Sequence, residues 1–196
     1  MQDMIKMVVV VTLLCSVSGG LLAAVESSTK DRIENQQLTF VKGPAIKSIL
    51  DGASNDPIAD RFKLPLGDME KSFFVGVYDS EPTTVVLESF GKGYGGNVGV
   101  MVGIDTKNNQ LLGAGVTTHA ETPGMGAKAK TDPSFVAQFK GMPLQETYVV
   151  GSGDGQVNAI SGATITSRAV CSATNDALKI YEKIKPQLAD KLKEFK

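Results

Sequence analysis

The 196-residue chain has no tryptophan, one histidine and two cysteines. Protein-bound zinc and iron–sulfur clusters draw three or four ligands from clustered His and Cys. His119, Cys15 and Cys171 lie far apart in the sequence, so no metal site is expected. Two distant cysteines also do not make a disulfide framework, and both read as small buried hydrophobes. Charge of one sign is lacking too. Twenty basic against 21 acidic side chains leave a net charge of −1, without the basic surplus that nucleic-acid binding needs. No G-x-G-x-x-G follows a strand and no G-x-x-x-x-G-K-[ST] occurs, which leaves Rossmann and P-loop phosphate binding unsupported. Nothing resembles a nucleophile elbow, so no Ser-His-Asp hydrolase is read here.

What the chain does have is a long apolar run. Residues 7–25, MVVVVTLLCSVSGGLLAAV, carry no charge and match the roughly 20 residues that span a bilayer as a helix. The run exceeds the roughly 7–15 apolar residues of a cleaved signal sequence, so it is read as an uncleaved single-pass anchor. Ser16, Ser18, Gly19 and Gly20 form a small-residue stretch that lets another membrane helix approach closely. Lys6 precedes the run and Lys30 and Arg32 follow it, mixed with acidic residues, so the positive-inside rule assigns no orientation. The organisation expected is a tail over 1–6, the span over 7–25, a connecting segment over 26–44 and one domain over 45–196, with residues 26–37 continuing the helix beyond the apolar run.

The remainder reads as α+β, an antiparallel sheet with flanking helices at its ends. Ala45, Ile46, Ile49 and Leu50 have helical spacing and stop at Asp51-Gly52. Loops are expected over 51–57 and 64–68. Strands are expected over 72–78, 83–90, 98–105, 111–118 and 146–150, with turns at 79–82 and 106–109. Val170, Ala173, Ala177, Ile180 and Ile184 form a helical stripe over 169–184 that leads to Pro186.

Three segments exceed what such a fold needs. Residues 91–96, GKGYGG, hold four glycines in six positions. They are read as a bulged strand entry, with close approach of backbone to a ligand as the alternative. Residues 119–126, HAETPGMG, contain the one histidine, and Pro123-Gly124 sets a turn whose amides can face a polar ligand edge. Residues 161–170, SGATITSRAV, crowd hydroxyls at a helix entrance. Ser161 or Thr164 is the expected cap, and such an entrance is equally a phosphate site.

An apolar helix followed by GYGG, HAETPGMG and NAISGATITSRAV, in that order, resembles the G subunits of Rnf electron-transport complexes. Their FMN-binding domain is shared with the C subunit of the sodium-pumping NADH:quinone oxidoreductase. The resemblance covers nearly the whole chain. It implies FMN joined through a phosphoester to the threonine that ends the S/T-G-A-T motif, here Thr164, by a separate flavin transferase. Ser161, Gly162, Ala163 and Thr166 would surround the phosphate. His119, Glu121, Thr122, Pro123, Gly124 and Met125 would line the ring, with Met125 at a usual leucine, and Tyr94 is counted with them. Asn158 stands where the family motif usually has aspartate, which keeps the shape and loses the charge.

What the resemblance implies for function is an electron-transfer subunit of an ion-translocating membrane complex of ferredoxin/NAD type, with the other membrane subunits as partners. The flavin domain is then expected on the extracytoplasmic, periplasmic side of the inner membrane, with no side chain acting alone as a catalyst. The alternative is an anchored FMN-domain binding or assembly protein without a redox role.

Overall fold

The computed structural model describes residues 1–67, 69–144, 147–151 and 156–195, and the chain divides into two compact units, Met1–Leu38 and Thr39–Lys196. The first unit is helix α1, Gln2–Gln36. Its stretch Gln2–Lys30 is the one helix among the described residues long and apolar enough to cross a membrane. At 1.5 Å per residue those 29 residues reach about 43 Å, against a hydrocarbon core of about 30 Å. The helix continues past the apolar run as expected. Cys15 is exposed on it rather than buried.

A π-helical segment, Gln37–Lys42, runs across the boundary between the units, and helix α2, Gly43–Ile49, follows it in the second unit. Five strands follow as an antiparallel meander in the order β1-β2-β3-β4-β5. They are β1 (Arg61–Leu66), β2 (Met69–Tyr78), β3 (Glu81–Lys92), β4 (Asn97–Asp105) and β5 (Gln110–Val116). Short helices α3 (Lys128–Thr131) and α4 (Pro133–Ala137), a parallel pair β6 (Val149–Val150) and β7 (Gln156–Val157), and the long helix α5 (Thr164–Lys193) complete it.

Strands β2 to β5 form close to where the sequence placed them. The β2–β3 hairpin is tighter than expected, because Asp79 and Ser80 adopt positive φ of 50° and 63°, the two-residue geometry that matches strand twist. The β4–β5 turn over 106–109 is held by Asp105, which accepts from the amides of Lys107 and Asn108 at 2.9 and 3.0 Å.

Three expectations fail. The loop expected over 64–68 is largely strand β1, which pairs Arg61 to Leu66 with Phe74 to Met69. Pro65 is tolerated there because β1 is an edge strand and needs no donor on its open side. Pro186 does not end the last helix, which runs on to Lys193. Its ring sits on the exposed side, so the carbonyl it leaves unpaired can be hydrated, while Tyr181, Ile184, Leu188 and Leu192 keep the buried stripe intact. The strand expected over 146–150 shrinks to the two residues of β6, and Glu146 lies outside the described residues.

Helices cover the sheet's faces rather than its ends, which is why β4 is buried on both sides from Val98 to Ile104. One face presents Val75, Val85, Leu87, Val100 and Val102 to the Val170–Ala173–Ala177 stripe of α5. On the other lies α2, in a trough cleared by glycine. A Cβ on Gly103 would sit 2.3 Å from Ile49 Cγ2, and one on Gly76 2.6 Å from Leu50 Cδ2. Glu88 ties this face together, pairing with Lys42 at 2.6 Å and accepting from the Thr117 hydroxyl at 2.7 Å. Cys171 is buried in the core, where burial pushes its thiol up to about 11 and leaves it inert.

Candidate functional site

Three segments meet at one corner of the second unit. The first is the turn 93–96, a hairpin connection between β3 and β4. It corrects the expected bulge: Gly91 pairs with Val98 and Lys92 with Asn97 without a register shift, and Gly93 N donates to Gly96 O at 2.8 Å. The glycines serve close approach instead. A Cβ on Gly95 would lie 2.0 Å from the Ala120 carbonyl oxygen, so only glycine lets this turn rest on the next segment.

That segment is the loop after β5. Pro123-Gly124 makes the expected turn, with Gly124 at φ 75° and Met125 N bonded to Thr122 O at 3.2 Å, a type II arrangement that needs glycine at its third position. His119 is half-buried, and its Nδ1 accepts from the Glu121 amide at 3.3 Å. Glu121 itself is 5% exposed. It accepts from Gly95 N at 2.8 Å, from Tyr94 N at 3.3 Å and from the Thr166 hydroxyl.

Burial alone would push the Glu121 carboxyl up. The bonds from Thr166, Gly95 and Tyr94 and the nearby His119 together outweigh it and hold the group below its ordinary value. A carboxyl lowered in the fold stabilises it at pH above the unfolded-state value, and that contribution is lost as pH falls through the folded value. Glu121→Gln should therefore lower the melting temperature at neutral pH, and the gap to wild type should narrow as pH drops below the ordinary carboxylate range. An equal gap at pH 7 and pH 3 would refute this.

The third segment is the entrance to α5. The expected cap is absent: Ala163 is the N-cap residue, and no side chain among the described residues bonds the first-turn amides. Ser161 lies two positions too early, ahead of Gly162 at φ 78°, and Thr164 is already the first helical residue. The buried Ser167 closes the corner instead, its Oγ accepting from Ile160 N and donating to Ala163 O, both at 3.0 Å.

Between these segments lies a cavity of about 480 Å³, within the roughly 300–1,000 Å³ of cofactor-sized sites. The fold brings Tyr94, Glu121, Thr122, Met125, Gly162, Ala163, Thr164 and Thr166 to its walls. Ser161, His119, Pro123 and Gly124 belong to the same loops but do not line it. Gly126 and Ile165 do, though neither is among the residues the sequence pointed to. Gly126 closes the quoted HAETPGMG motif, and a Cβ there would stand 2.8 Å from both Glu121 Cβ and Thr166 Oγ1. Ile165 gave no sequence signal beyond its place between two threonines.

The cavity is chemically two-sided. Tyr94 at 76%, Met125 at 49% and Ile165 at 49% exposure set large apolar surface around its mouth, suited to a flat aromatic ligand. Uncapped amides and the exposed Thr164 face it from the helix entrance, where the dipole favours an anion.

Comparison with known proteins agrees with that division. A family described as an FMN-binding domain matches residues 93–179, which span all three segments. The C subunit of the Na(+)-translocating NADH-quinone reductase from Parabacteroides distasonis superposes with a TM-score of 0.58 at 24% identity, over 83% of this chain and 96% of that one, so the fold is shared. NqrC of Shewanella oneidensis gives a TM-score of 0.53 at 26% identity, covering 70% of this chain and 72% of its own. The G subunit of a proton-translocating ferredoxin:NAD(+) oxidoreductase complex from Clostridium ljungdahlii is 30% identical over 86% of both chains. Its counterpart, the G subunit of an ion-translocating oxidoreductase complex from Methanosarcina acetivorans, is 33% identical over 180 residues, 90% of this chain and 94% of its own. With that identity over nearly its whole length, the chain belongs to the family of G subunits of ion-translocating oxidoreductase complexes.

Proposed function

We propose that this protein is the FMN-carrying electron-transfer subunit of a membrane-bound, ion-translocating oxidoreductase complex, with the flavin attached through its phosphate to Thr164. The observation that carries the reading is the cavity itself, with apolar rim and uncapped helix entrance in one space and an exposed threonine between them.

The residues present fit FMN. The isoalloxazine would lie against Tyr94, Met125 and Ile165, and the phosphate would meet the amides at the start of α5. Gly162 and Ala163 leave room beside the acceptor, since neither carries more than a methyl group, and the positive φ of Gly162 suits glycine. When bound, the flavin supplies the redox chemistry, and the protein binds, orients and tunes it. Thr166 contributes indirectly, since its hydroxyl is engaged by Glu121.

Attachment is a modification, carried out by a flavin transferase. The Thr164 hydroxyl oxygen forms a bond to the FMN phosphorus of FAD as the pyrophosphate bond breaks. AMP leaves, and the hydroxyl proton passes to a base of the transferase. Asn158 at the usual aspartate position is exposed, and its backbone makes two bonds with the Gln138 side chain, at 2.8 and 3.3 Å. Its side chain is therefore available to a transferase as an uncharged acceptor.

Helix α1 serves as the single-pass anchor, and its small residues offer a surface to the other membrane subunits, which hold the flavin near another carrier. The flavin domain stands on the extracytoplasmic side. Visible absorbance together with intact mass spectrometry of the purified protein tests the core of the reading. A flavin spectrum and a covalent increment equal to FMN less water are expected. A colourless protein of unmodified mass, produced alongside its transferase, would favour the anchored assembly role.

A further inference from the structure

We propose that Glu121 is a positioning residue whose carboxylate latches the Tyr94–Gly95 turn to the first turn of α5, and so presents Thr164 to the cavity before any cofactor arrives. The role assigned to Thr164 rests on the attachment reading above; the latch itself rests on geometry.

The carboxylate is spent within the protein. Oε1 accepts from Gly95 N and Oε2 accepts from Tyr94 N and from the Thr166 hydroxyl. An ionised carboxyl offers about four acceptor positions, so three donors leave little for a ligand, although the residue lines the cavity. The donors come from two segments distant in sequence, and Glu121 sits on a third. One side chain therefore joins every wall of the site.

The surroundings are shaped for this group. A Cβ on Gly93 would come 2.5 Å from Glu121 Oε1, and one on Gly126 would come 3.0 Å from Oε2 and 2.8 Å from Thr166 Oγ1. Glycine at both positions keeps clear the space in which the carboxylate reaches its donors.

The latch sets the rotational phase of α5. Residues two apart on a helix point in nearly opposite directions, at about 100° per residue. Thr166 is buried and turned to Glu121, whereas Thr164 is exposed at the cavity. Thr164 and Thr166 flank one residue and carry the same hydroxyl, so a slip of the helix entrance would turn the wrong one outward. Binding Thr166 inward decides which is presented.

The test uses full-length protein made without the transferase, then flavinylated in vitro with transferase and FAD. Attachment is followed by flavin fluorescence on denaturing gels, and amide hydrogen exchange is followed at Tyr94 and Gly95 before loading. Glu121→Gln and Thr166→Val should each slow attachment by about tenfold or more, as expected when a charge-assisted bond is lost. The double variant should be no slower than the slower single one, and Thr166→Ser should load at the wild-type rate. Exchange at both amides should speed up in Glu121→Gln. Should that variant fail to fold, the contrast between Thr166→Val and Thr166→Ser decides alone.

Wild-type loading of both Glu121→Gln and Thr166→Val would overturn the proposal. So would slow loading of Glu121→Gln beside normal loading of Thr166→Val, which would mean that Glu121 meets the flavin or the transferase directly. Thr164→Val separates this from failure of the attachment reading. Flavin retained on that variant refutes the acceptor assignment, while the exchange rates still report on the latch.

Discussion

Thr164→Val protein should run through a denaturing gel without flavin fluorescence, while wild-type protein expressed with a flavin transferase should retain it, as the proposed attachment requires. Valine keeps the shape and removes the hydroxyl oxygen proposed to form the phosphoester. Thr164 is exposed at the first position of α5 and caps nothing, so the change should leave stability within about 0.5 kcal/mol. Geometry also disfavours the neighbouring hydroxyls as acceptors. Thr166 is 2% exposed and bonded to Glu121, and Ser167 is 0% exposed and bonded to Ile160 and Ala163. Ser161 is exposed but does not line the cavity. Covalent flavin on Thr164→Val would defeat the assignment, and peptide mapping would then show which of them carries it.

Gly91→Ala should have the largest effect on the fold. Its new Cβ would stand 1.9 Å from the Ala169 carbonyl oxygen and 2.7 Å from the Ala169 carbonyl carbon. These are backbone atoms of α5, so no side chain can rotate aside and β3 must part from the helix. Overpacking costs about 1–3 kcal/mol. A clash with unyielding backbone belongs at the upper end of that range, a large share of the roughly 5–15 kcal/mol that holds a domain together. Gly141→Ala is the control. Gly141 has φ 78° but open space around it, so only the left-handed backbone is penalised, by about 1–2 kcal/mol. Urea denaturation of the two variants reads the difference. Equal midpoints would show that strand and helix separate cheaply at Gly91.

Much of the architecture follows from local chemistry and is legible in the sequence. A charge-free apolar run gives α1, and short apolar stretches bounded by Asp, Asn and Gly turns give β2 to β5. A 3.6-residue stripe gives α5. The motifs around Tyr94, His119 and Thr164 mark the segments that form the cavity, because glycine-rich turns and crowded hydroxyls exceed what strands and helices require.

Other features depend on what stands opposite. Pro65 is compatible with strand only because β1 has no neighbour on its outer side, and Pro186 is compatible with helix only because its ring meets water. The glycines of 91–96 looked like a bulge because their partners, Ala120, Glu121 and Ala169, lie some 25 to 80 residues further along the chain. The same holds for the helix entrance. Its sequence offers Ser161 and Thr164 as caps, yet the chain enters through Ala163, and a serine further on closes the corner. Sequence alone thus determined which segments and residue types make the site, since hydrophobic period, turn chemistry and hydroxyl content are local. Only the tertiary structure decided which hydroxyl is spent inward on Glu121 and which faces the cavity, because burial and hydrogen-bond partners are set by long-range packing.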